Sequence, residues 1–583
     1  MRWTKVVALS AVGALSLAAC GGSPADNAKS GKTTDSSGGG PASSAFLPDA
    51  VGPAPAVSGS KTGGTLTIAY ASAPQTLDPS ANYYQDTNVI LKLTNRTLTV
   101  FSVRDGKSVL VPDLATDLGK LSADKLTWTF KLKPGLKYED GTLIKAADIV
   151  YAVERSLAHE ELPGGPAYQD EFLKDGTTYK GPYKDAAKTF GGAEAPDDST
   201  VVFHMAKPMQ SFPYFASFSQ FSPIPKAKDN KDQYTNHPLA SGPYMFKSYN
   251  KGENLTLVKN PNWDAKSDPA RHQFPDTILF NFAKDPIPSQ TAILASNGAD
   301  ASTLNWDPVD ASLVQQVMPG GAKASQLVTG ASPCVEYFSM DTRKIPLEVR
   351  KAIAVAFPYD QIRKAIGATP LSYKPATSIS AAQVPGMTPF VVNGLTGQGK
   401  GDPVKAKAML AAAGKADFEL SWYYSTDRPS SAASNEVRKQ AFTAAGFKVK
   451  AIGGLRADIR KRVAEPNAPV NMLQGPAGWC YDWPNGDSII PPIMGSAVLA
   501  TGQSVGFLTD KKVDSEIARI SALDVAKQGP EWSTLDKYIL ETLLPTIPFS
   551  YDQSNALFGN KVHNVVNDPN IGLADITGIW VDQ

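Results

Sequence analysis

Hydrophobic and polar positions recur along this chain with two periods, and the switches between them outline its elements. Residues 64–70, GTLTIAY, alternate small and β-branched residues behind a glycine pair, the period of a strand. In 85–101, QDTNVILKLTNRTLTVF, the positions of Val89, Ile90, Leu93 and Leu98 fit a helix. Alternation returns at Leu126, Trp128, Phe130 and Leu132; Lys133-Pro134-Gly135 reads as a turn, and an amphipathic helix is expected from Ala146. Residues 241–263, SGPYMFKSYNKGENLTLVKNPNW, hold two alternating runs around Asn250-Lys251-Gly252, a hairpin pattern. Between Pro346 and Ala365 the positions of Val349, Ala352, Ile353, Ala356 and Ile362 predict a helix. Residues 418–452 read as strand, helix, a stop at Gly446 and strand, a βαβ unit. Hairpins mixed with βαβ units, and no fixed-period repeat, place the chain in the α/β class.

The first twenty residues follow neither period. Arg2 and Lys5 precede an apolar run, Val6 to Ala19, that is too short to span a bilayer, which is the layout of a secretory signal. Its end, Leu17-Ala18-Ala19-Cys20, resembles the bacterial lipobox, which implies a lipid on Cys20 as the mature N-terminus; an ordinary secretory peptide with an incidental cysteine is the alternative. Residues 20–62 are mostly Gly, Ser, Pro, Ala and Lys, a composition that cannot bury enough surface to offset its ordering entropy. A flexible tether is expected there. No later stretch offers the roughly 18 uninterrupted apolar residues of a transmembrane helix, so the body is expected to be water-soluble.

Composition narrows the classes further. A chain of 583 residues is too long for one core, so two or three are expected. The balance of 57 Lys and Arg against 56 Asp and Glu lacks the basic excess of a nucleic-acid binder, and loss of Arg2 and Lys5 with the leader leaves it near zero. Three cysteines cannot staple so long a chain, and 9% aromatic residues spread along it exclude wholesale disorder.

Several blocks then line up with one family. Leu77-Asp78-Pro79, LVPDLATDL at 110–118, the long block 126–157, SGPY at 241–244, NPNW at 260–263, PLEVRKAIAVAF at 346–357, AKAMLAAAG at 406–414 and GWCYDW at 478–483 occur in one order over the whole body. Together they resemble the extracytoplasmic solute-binding proteins of peptide and nickel ABC importers, family 5. The resemblance implies an α/β, periplasmic-binding-protein-like fold (type II, cluster C) with a hinged ligand cleft between three lobes, two crossing strands serving as the hinge. By that pattern residues 62–105, 234–333 and 545–583 form the first lobe, 106–233 the second and 334–544 the third. Asp140-Gly141 and Pro112-Asp113 read as turn and loop residues that specify fold.

The resemblance also implies function. It points to a monomeric binding protein, not an enzyme, exported to the outer face of the cytoplasmic membrane, held there by its lipid, and delivering oligopeptides or dipeptides to the transmembrane subunits of an ABC permease. No cofactor, metal or nucleic acid is expected. Relatives that bind oligosaccharides, nickel chelates or haem keep the non-peptide alternatives open. In peptide-binding members a W-x-x-D segment supplies an aspartate for the ligand's α-ammonium, and here Trp479-Cys480-Tyr481-Asp482 carries Asp482 into that role. Around it Trp479, Trp483, Trp422, Tyr83 and Tyr84 are the candidate ligand-contacting aromatics, with core packing as the competing account and Tyr83, Tyr84 and Trp483 favoured for lying in loops. With Cys20 lipidated, Cys334 and Cys480 remain; an exported location favours pairing, and some relatives have a bridge ending at the W-C-x-D cysteine.

Enzyme motifs do not compete well. Gly502-Gln503-Ser504-Val505-Gly506 matches a nucleophile elbow, but Pro491, Pro492 and Gly495 before it indicate a loop. Gly394 to Lys400 begins like a phosphate loop, yet Gly401 stands where a Ser or Thr is needed. The five histidines, His159, His204, His237, His272 and His563, show no metal-ligand spacing. A membrane-anchored hydrolase is the alternative of a different class.

Overall fold

The alternating run near the start of the body forms the strand Thr65–Ala69, whose Leu66 and Ile68 are buried. It lies inside a mixed five-stranded sheet in the order Thr303–Asn305, Thr65–Ala69, Thr277–Asn281, Asn254–Lys259 and Tyr244–Asn250. Thr65–Ala69 pairs in parallel with both neighbours, and the other pairings are antiparallel. The last two strands are the expected hairpin, turning at Gly252 with φ near 86°, a conformation that glycine adopts without a steric penalty. This is a computed structural model, and it describes residues 46–463, 465, 467–472, 477–500 and 504–583. The leader, Cys20 and the tether up to residue 45 lie outside the described residues.

Three large hydrophobic clusters organise the described chain. The first joins the five-stranded sheet to the C-terminal residues Ala556, Ile576, Ile579 and Val581. The second, between Leu98 and Phe221, packs the antiparallel sheet Lys120–Leu121, Thr127–Lys131, Thr200–His204 and Ala193–Asp197 with the helix Ala146–Ser156. Its centre is aromatic: Phe130, Phe203, Phe212 and Phe215 meet with ring centroids 5.1–6.0 Å apart, arrangements that add to plain area burial. The third, between Val335 and Phe549, includes the expected βαβ unit, Glu419–Ser425, Pro429–Ala444 and Lys448–Gly454, its strands parallel. Two long antiparallel strands, Leu327–Ser339 and Thr546–Leu557, run out of this third cluster toward the first: Val335, Phe338, Ile547 and Phe549 lie in the third, Ala556 in the first.

Buried ion pairs join the first two clusters. Arg155, on the helix Ala146–Ser156, makes a bidentate contact with Asp78 of the Leu77-Asp78-Pro79 segment (2.6 and 2.7 Å) and reaches Asp229 through Nε (3.0 Å). Asp113 accepts from Arg96 Nε (2.7 Å), from both terminal nitrogens of Arg271 (3.1 and 2.8 Å) and from the Thr97 backbone N–H (3.1 Å).

Three expectations change. The helix predicted over 85–101 stops at Thr94, and Thr99–Arg104 pairs as a hairpin with Lys107–Pro112 through Asp105-Gly106, both at positive φ. The β-branched residues Thr97, Thr99, Val100 and Val103 favour a strand, and Arg96 is drawn aside to Asp113. The helix predicted between Pro346 and Ala365 is two, Leu347–Ala356 and Tyr359–Ala365, parted at Pro358, whose ring and missing N–H end the first. The tether expected to reach residue 62 gives way by residue 46. The Phe46 ring packs on Tyr214 (4.7 Å), Leu47 N–H donates to the Leu110 carbonyl (2.9 Å), and Leu47 and Ala50 cover Val100, Val109 and Val111. Phe46 and Leu47 supply the apolar surface that the preceding stretch lacks.

Candidate functional site

Asp482 follows the short strand Ala477–Cys480, which pairs in antiparallel register with Leu327–Ser339, Trp479 opposite Val335 and Cys480 opposite Cys334. Cys334 and Cys480 are joined as a disulfide that closes a sequence separation of 146 residues. Both neighbours of Asp482 are buried. Tyr481 Oη donates to the Pro569 carbonyl (2.9 Å), and Trp483 Nε1 donates to Asp487 Oδ1 (2.7 Å) while its ring lies in the second cluster beside Tyr168 and Phe218. Anchored on both sides, Asp482 has little freedom to retreat from what faces it.

Two tyrosines face it, one from each of the other clusters' segments. Tyr83 Oη donates to Asp482 Oδ1 (2.7 Å), and Tyr168 Oη donates to Oδ2. Tyr83 belongs to a loop that is itself pinned: the Pro79 carbonyl accepts from Ser219 Oγ (2.9 Å) and Gln220 Nε2 (3.0 Å), and the Asn82 carbonyl accepts from Gln220 Nε2 (2.8 Å). Burial pushes the Asp482 carboxyl up to about 6, against the opposing pull of the Tyr168 and Tyr83 hydrogen bonds. Burial and the adjoining carboxylate raise both tyrosines, so they stay protonated and act as donors.

A cavity of about 540 Å³ opens beside this carboxylate, lined by Tyr83, Tyr84, Trp479 and Asp482 together with Phe101 and Phe218. Behind its wall Gln220 Oε1 and Ser222 Oγ are buried, without a hydrogen-bond partner among the described residues. The volume is within the roughly 300–1,000 Å³ usual for small-ligand pockets, and polar side chains, among them Asn82, Asn88, Lys92, Asn95 and Arg271, line it beside the aromatic rings.

The candidate residues therefore divide. Asp482, Trp479, Tyr83 and Tyr84 come together at one cavity. Trp422 and Trp483 do not line it. Trp422 is 0% exposed, packed on Phe442, with Nε1 donating to Asn435 Oδ1 (3.0 Å); Trp483 is 2% exposed. Both indoles fill hydrophobic cores from which a ligand is shut out. Tyr168, Gln220 and Ser222 escaped sequence reasoning. Tyr168 follows the turn-rich LPGGPA, a segment with no periodicity to signal a binding residue.

The phosphate-loop resemblance dissolves into a turn: the Gly397 carbonyl accepts from Arg363 (2.6 Å) and Gly399 N–H donates to Asp360 Oδ2 (3.0 Å). Gly502 and Gln503 of the G-x-S-x-G match lie outside the described residues, and Ser504 is buried. No helix among the described residues is long and apolar enough to cross a membrane.

The body is mixed α/β, with a carboxylate and aromatic rings converging on one cavity. The chain belongs to the bacterial extracellular solute-binding proteins, family 5, whose middle region matches residues 109–499. It is 22% identical over 494 residues to di/tripeptide-binding protein 4 of Pseudomonas aeruginosa, covering 81% of this chain and 86% of that one. A shorter match, 30% identical over 207 residues, is to the probable D,D-dipeptide-binding periplasmic protein DdpA of Escherichia coli K12, spanning 34% of this chain and 36% of that protein. Among solved structures it is similar to clavulanic acid biosynthesis oligopeptide binding protein 2, with a TM-score of 0.79, 24% identity and coverage of 90% and 96% of the two chains. Another is the ABC transporter-associated periplasmic binding protein DppA from Helicobacter pylori in complex with the peptide STSA, with a TM-score of 0.67, 18% identity and coverage of 90% and 99%. At these identities the structural likeness bears on the fold.

The disulfide fastens the strand that leads into Asp482. Replacing both cysteines, Cys334→Ala with Cys480→Ala, is expected to cost about 2–4 kcal/mol of stability and to weaken ligand binding with it. Thermal unfolding of the oxidised protein and the double variant, each with and without ligand, checks this. Equal unfolding temperatures would deny the bridge a stabilising role.

Proposed function

We propose that this protein captures peptides outside the cytoplasmic membrane, using Asp482 to receive the α-ammonium, and delivers them to an ABC permease. The observation that carries the proposal is the half-buried Asp482 carboxylate on the wall of the 540 Å³ cavity, already satisfied by two hydroxyl donors. An ammonium is the ligand group that such a desolvated carboxylate favours most, by charge-assisted hydrogen bonding. The peptide-binding names of the relatives support the same ligand class. Tyr84 and Trp479 would supply broad apolar contact for varied side chains.

Capture proceeds by population shift. On this reading the three lobes would be residues 62–105 with 234–333 and 545–583, then 106–233, then 334–544, with the paired strands Leu327–Ser339 and Thr546–Leu557 as their hinge. The buried Asp78–Arg155 and Asp113–Arg271 pairs tie the first two lobes together, and the third would move against them. A ligand that touches Asp482 together with Tyr83 and Tyr168 favours the closed arrangement, which the permease recognises. A lipid on Cys20 would hold the protein at the membrane, reached through the residues before Phe46.

Thermal-shift and calorimetric titration with matched peptides tests the reading. Di- to pentapeptides with free amino termini are expected to stabilise the protein, and their N-acetylated forms to do so far less. Stabilisation by oligosaccharides, nickel chelates or haem, with none by peptides, would replace it.

A further inference from the structure

A second cavity, about 850 Å³, is lined on one side by the crossing strands, and Gln85 borders both it and the first cavity. The disulfide stands between the two: Cys480 and Trp479 line the first, Cys334 and Gly478 the second. On the crossing strands Glu336 is in register with Ser550, and Asp552, two residues on, shares its face, so the two carboxylates are diagonal neighbours. Ser550 Oγ lies 2.9 Å from Glu336 Oε2 and 3.3 Å from Asp552 Oδ1, and a single hydroxyl proton serves only one of them at a time. Among the described residues neither carboxylate has another hydrogen bond or an ion pair.

Of the cations nearby, Arg363 acts on Glu336 through space without pairing with it, and its buried Nε has no hydrogen-bond partner among the described residues. Arg363 donates to the carbonyls of Gly397 (2.6 Å) and Phe549 (2.5 Å) and packs on the Tyr373 ring (4.4 Å). Arg428 is exposed and Arg456 half-buried, so solvent screens both. Trp306, whose buried indole N–H has no partner among the described residues, lines the same space. The chamber therefore holds two acidic side chains that share one hydroxyl donor, and among the described residues neither is ion-paired with Arg363, Arg428 or Arg456.

We infer that this second chamber is a subsite for a basic group of the ligand, a lysine ammonium or an arginine guanidinium, received between Glu336 and Asp552. The inference rests on the peptide reading above and adds a selectivity to it: peptides with a basic residue beyond the first. The pair also has a proton to release. Burial, and for Asp552 the neighbouring Glu336, hold these carboxyls above the ordinary range, against the pull of the Ser550 hydrogen bond and, for Glu336, of Arg363. An arriving cation displaces that proton; Arg363, Arg428 and Arg456, the other charged groups of the chamber, have none to give near neutrality.

Calorimetry with alanine tetrapeptides carrying lysine at position 2, 3 or 4, each matched to its norleucine counterpart, tests the inference. At one position the lysine peptide is expected to bind about tenfold tighter or more. Titration at pH 7 in two buffers of different ionisation enthalpy is expected to show proton release for lysine but not for norleucine. Glu336→Gln combined with Asp552→Asn should bind both members of the pair equally. Because the matched comparison uses the unaltered protein, it stands even where the double variant does not fold. If norleucine and lysine peptides bind alike at every position, the basic subsite is wrong and the peptide reading survives. Failure of every peptide to bind would remove both.

Discussion

Asp482→Asn is expected to weaken binding of a free-amine peptide by about ten- to a hundredfold, or about 1.5–3 kcal/mol, while N-acetylated peptides are little affected. Asparagine preserves the shape and can still accept from Tyr83 or Tyr168, so the loss isolates the charge. The acid limb follows from the same group. With the carboxyl raised to about 6 in the free protein and ligand requiring its ionised form, affinity holds at pH 7 and declines as pH falls through 6. By pH 5 the loss should be about tenfold. Tyr83→Phe combined with Tyr168→Phe removes the hydrogen bonds that pull this carboxyl down, so the acid limb should move to higher pH. Calorimetric Kd values between pH 5 and 8 decide all three points. An affinity that is flat across this range would detach Asp482 from the ligand's ammonium.

Asp113→Ala is expected to be the most destabilising single change in the body, at about 3–5 kcal/mol, against total stabilities of about 5–15 kcal/mol for ordinary domains. Asp113 is 0% exposed and accepts from two arginines that are themselves almost wholly buried, so its removal strands their charge in the interior. Burial alone would raise this carboxyl, but Arg271 and Arg96 hold it well below the usual range. Its folded-state value is thus depressed. Its contribution is fully present above the unfolded value, about 3.9, and fades as pH falls below it toward the folded value. Asp113→Asn should therefore be less stable at pH 7 and lose less on acidification below pH 4. Unfolding temperatures measured from pH 3 to 7 test this, and parallel curves for the two proteins would contradict it.

Asp113 also illustrates what local pattern conveys. Pro112-Asp113 reads correctly as the end of a strand, yet nothing nearby signals that Arg271, 158 residues away, will seek the same carboxylate. The strands at 64–70 and 126–132, the hairpin at 244–259 and the βαβ unit at 419–454 were all legible, because a period of two or of 3.6 is a property of neighbouring residues. The boundaries that failed were those where competing signals met: Pro358 interrupting a helical pattern, and the β-branched run after Asn95. Among the site residues, the family's W-x-x-D pattern pointed to Asp482 and loop position to Tyr83 and Tyr84. The same argument misplaced Trp483, whose loop delivers it into a core.

The sequence alone carries the α/β class and the segments that build each layer, since these depend on spacing along the chain, and its resemblance to the family implies Asp482 as the ligand's aspartate. Only the tertiary structure decides which aromatic rings meet the cavity, that Tyr168 joins Tyr83 on Asp482, and that Glu336 and Asp552 share a chamber. Those contacts join residues 399, 314 and 216 positions apart, and no local period encodes a neighbour at such distances. The packing of the three clusters chooses it.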